Sequence, residues 1–158
     1  DNAQNEQQAA AIKQILQLFG ISGDTADENF QKEIGHTRVS FWDCPLNRDY
    51  VKRLRSDNLP LTEAKSENRI NRIAGTADPR QTERVPAGAQ FDFKLTVKQF
   101  DGDEEILLDT LLQGLKLLEW DSLGGNGSRG YGKVAFTAIT RNGEDISSCF
   151  AAIQPFAK

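Results

Sequence analysis

Hydrophobic periodicity along this 158-residue chain predicts an α+β fold, with helices on one face of an antiparallel sheet. Three observations carry the expectation. Asp103–Glu119 (DEEILLDTLLQGLKLLE) repeats leucine at helical spacing. Phe91–Phe100 (FDFKLTVKQF) alternates apolar and polar residues. Helical and alternating segments also follow one another without any internal repeat.

In chain order, a first helix is expected over Glu6–Phe19, with Ile12, Ile15, Leu16 and Phe19 on one face and Gly20 as its stop. Ser22–Lys32 is polar and reads as a loop. Thr37–Trp42 reads as a short strand with Val39 and Phe41 on one face, Arg38 and Ser40 on the other. A short helix is expected over Leu46–Leu54. Ser56–Gly88 holds Pro60, Pro79 and Pro86 and shows no sustained periodicity, which marks a functional excursion or disorder. Phe91–Phe100 then places Phe91, Phe93, Leu95 and Val97 on one face of a strand. In the leucine-rich helix, acids in the first turn complement the dipole, and Leu107, Leu108, Leu111, Leu112, Leu115 and Leu118 form the apolar face. A glycine-rich loop follows, then a strand over Lys133–Ile139, a turn at Asn142–Gly143 and an apolar run, Cys149–Ile153. This order suits a ferredoxin-like arrangement.

The length predicts a single domain over 1–158 with a real core, and 38% hydrophobic with 27% charged residues is an ordinary globular composition. No apolar run approaches the roughly 18–20 residues of a membrane span. The net charge of −4 averages unlike segments. Lys65, Arg69, Arg72, Arg80 and Arg84 stand against Glu67, Asp78 and Glu83, whereas Asp101–Asp109 holds five acids and no base. Overall acidity argues weakly against nucleic acid, but a local basic arm can still bind phosphate. Cys44 and Cys149 match no metal or redox spacing, and His36 is the only histidine, so reduced cytosolic thiols are expected rather than a zinc site. His36 beside Gly35 reads as a turn residue, and Trp42 and Trp120 as core or partner-contact aromatics. The chain has no methionine, even at position 1, so a removed leader or a piece of a longer polypeptide is expected.

Gly124–Lys133 (GGNGSRGYGK) contains G-x-x-x-x-G-K from Gly127 to Lys133. A phosphate-cradling P-loop needs a strand entering, a helix leaving, and Ser or Thr in the next position. Here a helix enters, a strand is expected to leave, and the next residue is Val134. Two readings stay open: a flexible connector, or a glycine surface approaching a nucleic-acid backbone, with Arg129 and Lys133 for phosphate and Tyr131 for stacking.

Leu123–Val134 (LGGNGSRGYGKV), after its leucine-rich helix, resembles the C-terminal glycine-rich loop of the RAMP superfamily, the repeat-associated proteins of CRISPR systems. Glu67–Phe91 (ENRINRIAGTADPRQTERVPAGAQF) and Thr37–Leu46 (TRVSFWDCPL) make the chain similar, from about Leu18 onward, to the repeated guide-RNA-binding backbone subunit of type III-A (Csm) effector complexes. The nearest rivals are backbone subunits of type III-B and III-D complexes. The resemblance implies a modified RRM-like sheet carrying a β-hairpin thumb at roughly Thr62–Val85, which enters the guide–target duplex. Arg69, Arg72, Arg80 and Arg84 are then expected on phosphates, with Ile70 and Ile73 as apolar wedges. Alternatively, those arginines pair with Glu67 and Glu83 on a solvated surface.

The resemblance also places Gly124, Gly125, Gly127, Ser128, Arg129, Gly130, Tyr131 and Gly132 against CRISPR RNA, beside Lys133. Implied partners are CRISPR RNA, complementary target RNA, copies of the chain and other effector subunits, in the cytoplasm and without a membrane. The family's N-terminal strand, and the loop whose aspartate cleaves target RNA with a divalent metal (magnesium foremost), have no match here. Hence neither Asp43 nor Asp121 is read as catalytic, and no metal ligand is expected in this chain. Without that strand the sheet is expected to expose an edge. A noncatalytic RNA scaffold, a nucleotide hydrolase and a purely structural assembly domain remain the rival functions.

Overall fold

A computed structural model describes residues 2–22, 24, 27–103 and 105–156. Along the chain run α1 (Asn2–Phe19), α2 (Glu28–Ile34), β1 (Val39–Phe41), α3 (Arg48–Ser56), β2 (Glu63–Ile70), β3 (Ala77–Arg84), β4 (Leu95–Val97), α4 (Ile106–Trp120), β5 (Thr140–Arg141), β6 (Glu144–Asp145) and α5 (Ser147–Ala152). The class is α+β, as expected. The strands pair as three two-stranded ribbons, β1–β4, β2–β3 and β5–β6. Contacts divide the chain into two compact units, Asp1–Ser40 with Thr96–Lys158, and Phe41–Leu95.

In the first unit α4 behaves as its leucine spacing predicts. Leu107 and Leu111 are buried, Leu108, Leu112, Leu115 and Leu118 half-buried, and the helix begins at Ile106; Glu104 of the predicted span lies outside the described residues. α1 packs against α4, where Thr110 Oγ1 donates to Gln14 at 3.1 Å, and against α2, where Lys13 meets Glu33 at 2.8 Å. The inward face of α1 is therefore not the predicted one. Leu18 is fully buried, while Ile12, Ile15 and Phe19 are about half exposed. Gln14 and Leu18, one turn apart, lie toward the packed side instead, with Gln14 bonded to α4.

The expected loop Ser22–Lys32 contains α2 instead; Gly23, Thr25 and Ala26 lie outside the described residues. Asp27 accepts hydrogen bonds from the amides of Asn29 (2.8 Å) and Phe30 (2.9 Å), satisfying two of the first-turn donors that a helix leaves unpaired. Gly35, at φ 72°, ends the helix. Capping, rather than an apolar stripe, makes this helix.

Strict alternation also misplaces Arg38. It is buried beside Val39, while Phe41 is exposed. The guanidinium donates to Asp103 through Nε (3.2 Å) and Nη2 (2.9 Å), and through Nη1 to the carbonyls of Ile34 and His36 (2.6 Å each). It also lies 5.1 Å from the Phe100 ring centroid. Asp103 in turn accepts the Phe100 amide at 2.9 Å. The Arg38 hydrogen bonds foremost, with the Phe100 amide and the Arg38 charge, outweigh burial and hold the Asp103 carboxyl below the usual carboxylate range.

One predicted strand shortens and another forms no ladder. Of Phe91–Phe100, only Leu95–Val97 joins a ladder, with Leu46 bridging Phe91 beyond it, and Phe91 and Phe93 are exposed. The segment over residues 133–139 joins no ladder among the described residues, and Ala138 within it takes φ 51°. The turn at Asn142–Gly143 forms as expected, with φ 52° and 90° at its two centres, the type I′ geometry that matches strand twist. The apolar run that follows becomes α5, with Phe150 buried.

In the second unit Tyr50 and Leu54 of α3 are buried, and the long excursion resolves into the β2–β3 hairpin.

Candidate nucleic-acid interface

The hairpin register, from Glu63 opposite Arg84 to Ile70 opposite Ala77, puts Glu63, Lys65, Glu67 and Arg69 on one face with Arg84, Thr82, Arg80 and Asp78. The other face carries Ala64, Ser66, Asn68 and Ile70. Charge thus alternates with period two while neither face is apolar, so a search for apolar alternation misses both strands. On the charged face Arg84 meets Glu63 at 2.6 Å, Lys65 meets Glu67 at 2.9 Å and Arg80 meets Asp78 at 3.0 Å. The partners of Arg80 and Arg84 are therefore Asp78 and Glu63, while Glu83 accepts from Thr62 Oγ1 at 2.6 Å. Arg69 and Arg72 make no ion pair among the described residues.

The tip is a fixed turn. Asn71 Oδ1 accepts from the amides of Ile73 (3.0 Å) and Ala74 (3.2 Å), and the Gly75 amide donates to the Asn71 carbonyl at 2.8 Å. Gly75 takes φ 66°, which closes the turn without strain on a side chain. The consequence is a rigid projection of Ile73, which is 99% exposed, near a two-thirds exposed Ile70. Asn71, which shapes this tip, is a residue that sequence reading missed; its signal is the Asn71-to-Gly75 spacing at the centre of the excursion.

In the first unit the glycine-rich loop leaves α4 and folds on itself. Arg129 donates its amide to Asn126 at 2.9 Å and Gly130 to Gly127 at 2.9 Å, forming one 3₁₀ turn over Gly127–Arg129. Its base is clamped three times. The Leu123 amide donates to the Gly132 carbonyl at 2.8 Å, Lys133 Nζ donates to the carbonyls of Trp120 (2.9 Å) and Asp121 (2.5 Å), and the Phe136 amide donates to Glu119 at 2.7 Å. Burial pushes Glu119 up, but the Lys116 and Phe136 hydrogen bonds and the Lys116 charge together hold it below the usual range.

This geometry accounts for most of the glycine without a ligand. Gly124, Gly130 and Gly132 have φ of 78°, 77° and 72°, a Cβ on Gly127 would strike Ser122 Oγ, and one on Gly132 would strike the Leu123 carbonyl. Gly125 has ordinary φ and open space around it. Tyr131 is 9% exposed, so its ring offers no face to a base, and Lys133 is engaged in capping α4. Gly124, Gly125, Ser128, Arg129 and Gly130 form the exposed rim, with Gly127 half-buried. The loop lacks the strand-to-helix geometry of a triphosphate cradle: a helix enters it, and its own helical turn is a single 3₁₀ turn that no α-helix continues.

Among the described residues no three or more His, Cys, Asp or Glu side chains gather to hold a metal ion. The residues present therefore do not fit a divalent-metal site, and no cleavage step is assigned to them. Asp43 is exposed, and Asp121 serves as the C-cap of α4. His36 is an exposed turn residue tilted against Phe100 at 6.2 Å. Cys44 and Cys149 are free thiols; burial, with the nearby Asp92 carboxylate, pushes the Cys44 thiol up. No described helix is long and apolar enough to cross a membrane.

Residues 17–135, with the hairpin and the whole glycine loop inside them, match the RAMP superfamily. The chain belongs to that superfamily. Among its curated relatives, CRISPR system Cms endoribonuclease Csm3 of Streptococcus thermophilus is 51% identical over 129 residues, 79% of this chain and 54% of the relative. The Csm3 of Enterococcus italicus is 35% identical over 125 residues, 78% of this chain and 55% of the relative. That of Mycobacterium tuberculosis is 44% identical over 117 residues, 65% of this chain and 49% of the relative. The chain spans about half the length of these relatives.

Proposed function

We propose that this RAMP-superfamily chain is an RNA-binding backbone subunit of a type III-A CRISPR effector complex, assembling along CRISPR RNA and contacting the guide–target duplex. The hairpin tip is the observation that carries the reading. A fully exposed isoleucine on a rigid turn, beside unpaired Arg69 and Arg72, joins an apolar wedge to cations that neutralise phosphate. Sequence is left to base pairing between the RNA strands, while the protein reads backbone and shape, as in another RNA-guided effector.

Arg80 and Arg84 already face the opposite charges of Asp78 and Glu63, which offset part of their attraction for phosphate, so they contribute less than Arg69 and Arg72. In the glycine loop, Gly124, Gly125, Gly127, Ser128, Arg129 and Gly130 present the RNA-facing rim, and Tyr131, Gly132 and Lys133 hold its shape from beneath. The partners are CRISPR RNA, target RNA, further copies of the chain and other effector subunits, in the cytoplasm. The relatives' name, endoribonuclease, supports metal-dependent cleavage of target RNA by a longer polypeptide that includes a cleavage loop; the residues described here bind and position.

The test is RNA binding by the chain over a salt series. Arg69→Gln with Arg72→Gln is expected to lower the slope of log K against log salt by about 0.9 per lost duplex phosphate contact. Ile73→Ser is expected to weaken guide–target duplex more than single-stranded guide. Unchanged affinity and slope in both variants would overturn the assignment.

A further inference from the structure

The second unit carries a cationic surface outside the hairpin. Its span, Phe41–Leu95, holds ten Lys and Arg against eight Asp and Glu, while the whole chain is at −4. Four of those cations sit in ion pairs, at Lys52, Lys65, Arg80 and Arg84. Of the rest, Arg48, Arg53 and Arg55 lie on α3 (RDYVKRLRS).

The fold fixes which way α3 faces. Tyr50 and Leu54, one turn apart, are buried at 5% and 8% exposure. Asn47 caps the helix by accepting from the amides of Asp49 and Tyr50 at 3.1 Å. It is tied to the chain before β4 by its amide to the Gln90 carbonyl (2.8 Å) and its side chain to Asp92 (2.8 Å). At about 100° per residue, Arg48, Lys52 and Arg55 fall within about 60° of one another, on the side of the helix away from Tyr50 and Leu54. All three are exposed. Arg48 and Arg55 have no ion pair among the described residues, and Lys52 meets Asp49 at 3.1 Å with both side chains over three-quarters exposed, a pair of little energetic weight. Arg53 is set aside over the Tyr50 ring, at 5.5 Å from its centroid.

Along the helix axis the three cations rise by about 6 Å and then about 4.5 Å. That is a row of charges a few ångströms apart, on a helix pinned at its N-terminus and packed on its opposite side. Such a row fits successive phosphates of one RNA strand, for which arginine provides fork-shaped donors. We propose that the Arg48–Lys52–Arg55 face of α3 is a second phosphodiester-binding surface, separate from the hairpin tip and the glycine loop. It rests on the RNA-binding reading above.

The experiment compares the wild-type chain, Arg48→Gln/Arg55→Gln, Arg48→Lys/Arg55→Lys and Arg69→Gln/Arg72→Gln. The probes are fluorescein-labelled oligouridine and its duplex with oligoadenosine, titrated over a salt series, with thermal melting as the folding control. The α3 glutamine pair is expected to melt as wild type and to lose about 1.4 from the single-strand salt slope, at about 0.7 per contact. The lysine pair is expected to restore most of that slope. A greater loss with oligouridine assigns the face to a single strand, and a greater loss with the duplex assigns it to paired RNA; either supports the surface. If the α3 glutamine pair keeps wild-type affinity and slope while the hairpin pair loses them, α3 does not bind RNA and the hairpin reading stands. The same holds if the glutamine pair alters only self-association in sedimentation: the face then meets protein, and the proposal is overturned. If the wild-type chain binds neither probe, the RNA-binding reading itself fails, and the α3 surface with it.

Discussion

Replacing Asp103 by alanine tests the packing around the first unit's buried ion pair. Arg38 and Asp103 side chains are 9% and 6% exposed, so neither charge is well solvated once its partner is gone. Removing the carboxylate strands a buried guanidinium and leaves the Phe100 amide without its acceptor. Breaking a buried pair from one side costs about 3–5 kcal/mol. That is a large share of the roughly 5–15 kcal/mol by which proteins are stable, and it corresponds to a fall in Tm of about 6–20 °C for a chain of this size. Differential scanning calorimetry of wild type, Asp103→Ala, Arg38→Met and Arg38→Met/Asp103→Leu reads both the loss and the coupling. The double variant is expected to recover at least about 1 kcal/mol relative to the sum of the single changes.

The pH dependence has a definite sign. Asp103 is held below its unfolded value of about 3.9, so its contribution is complete above that pH and is lost as pH falls through the lowered folded value. Wild type should therefore lose this increment on acidification below about pH 4, and Asp103→Asn should not. A Tm change under about 2 °C for Asp103→Ala, or an acid profile indifferent to Asp103, would refute the reasoning.

Three further outcomes separate shape from contact in the glycine loop. Gly132→Ala should destabilise by at least about 1–2 kcal/mol, from its left-handed φ alone and more from collision with the Leu123 carbonyl, whereas Gly125→Ala should leave Tm unchanged; chemical denaturation distinguishes them. Lys133→Ala should lose about 0.3–1 kcal/mol of stability by uncapping α4 while leaving the RNA salt slope as in wild type; a changed slope would show direct contact. Arg129→Ala should lose about 0.7 from the single-strand slope; a slope equal to wild type would remove Arg129 from the RNA-facing rim.

Local pattern was enough wherever the deciding interaction lies within a few residues. The leucine spacing of α4 identified its buried face. Asn142–Gly143 specified a turn because both centres need positive φ. The glycine loop was legible as a loop that is no triphosphate cradle, since its position after a helix can be read directly. The hairpin was legible only through family resemblance, because its alternation is of charge and apolar periodicity does not register it.

By itself, then, the sequence determined the α+β class, α4, the turn at Asn142–Gly143 and the family. Tertiary structure decided everything that depends on a distant partner. Arg38 is buried because Asp103, 65 residues away, meets it; alternation alone sends it to solvent. Leu18 rather than Ile12 or Phe19 faces inward because the packing of α1 on α4 and α2, which residue order alone does not reveal, selects the face. Lys133 and Gly132 support the glycine loop because the carbonyls of Trp120 and Asp121 take the Lys133 ammonium and the Leu123 amide reaches the Gly132 carbonyl. In each case the energy comes from desolvation and hydrogen bonding between segments, which residue order specifies only once the chain has folded.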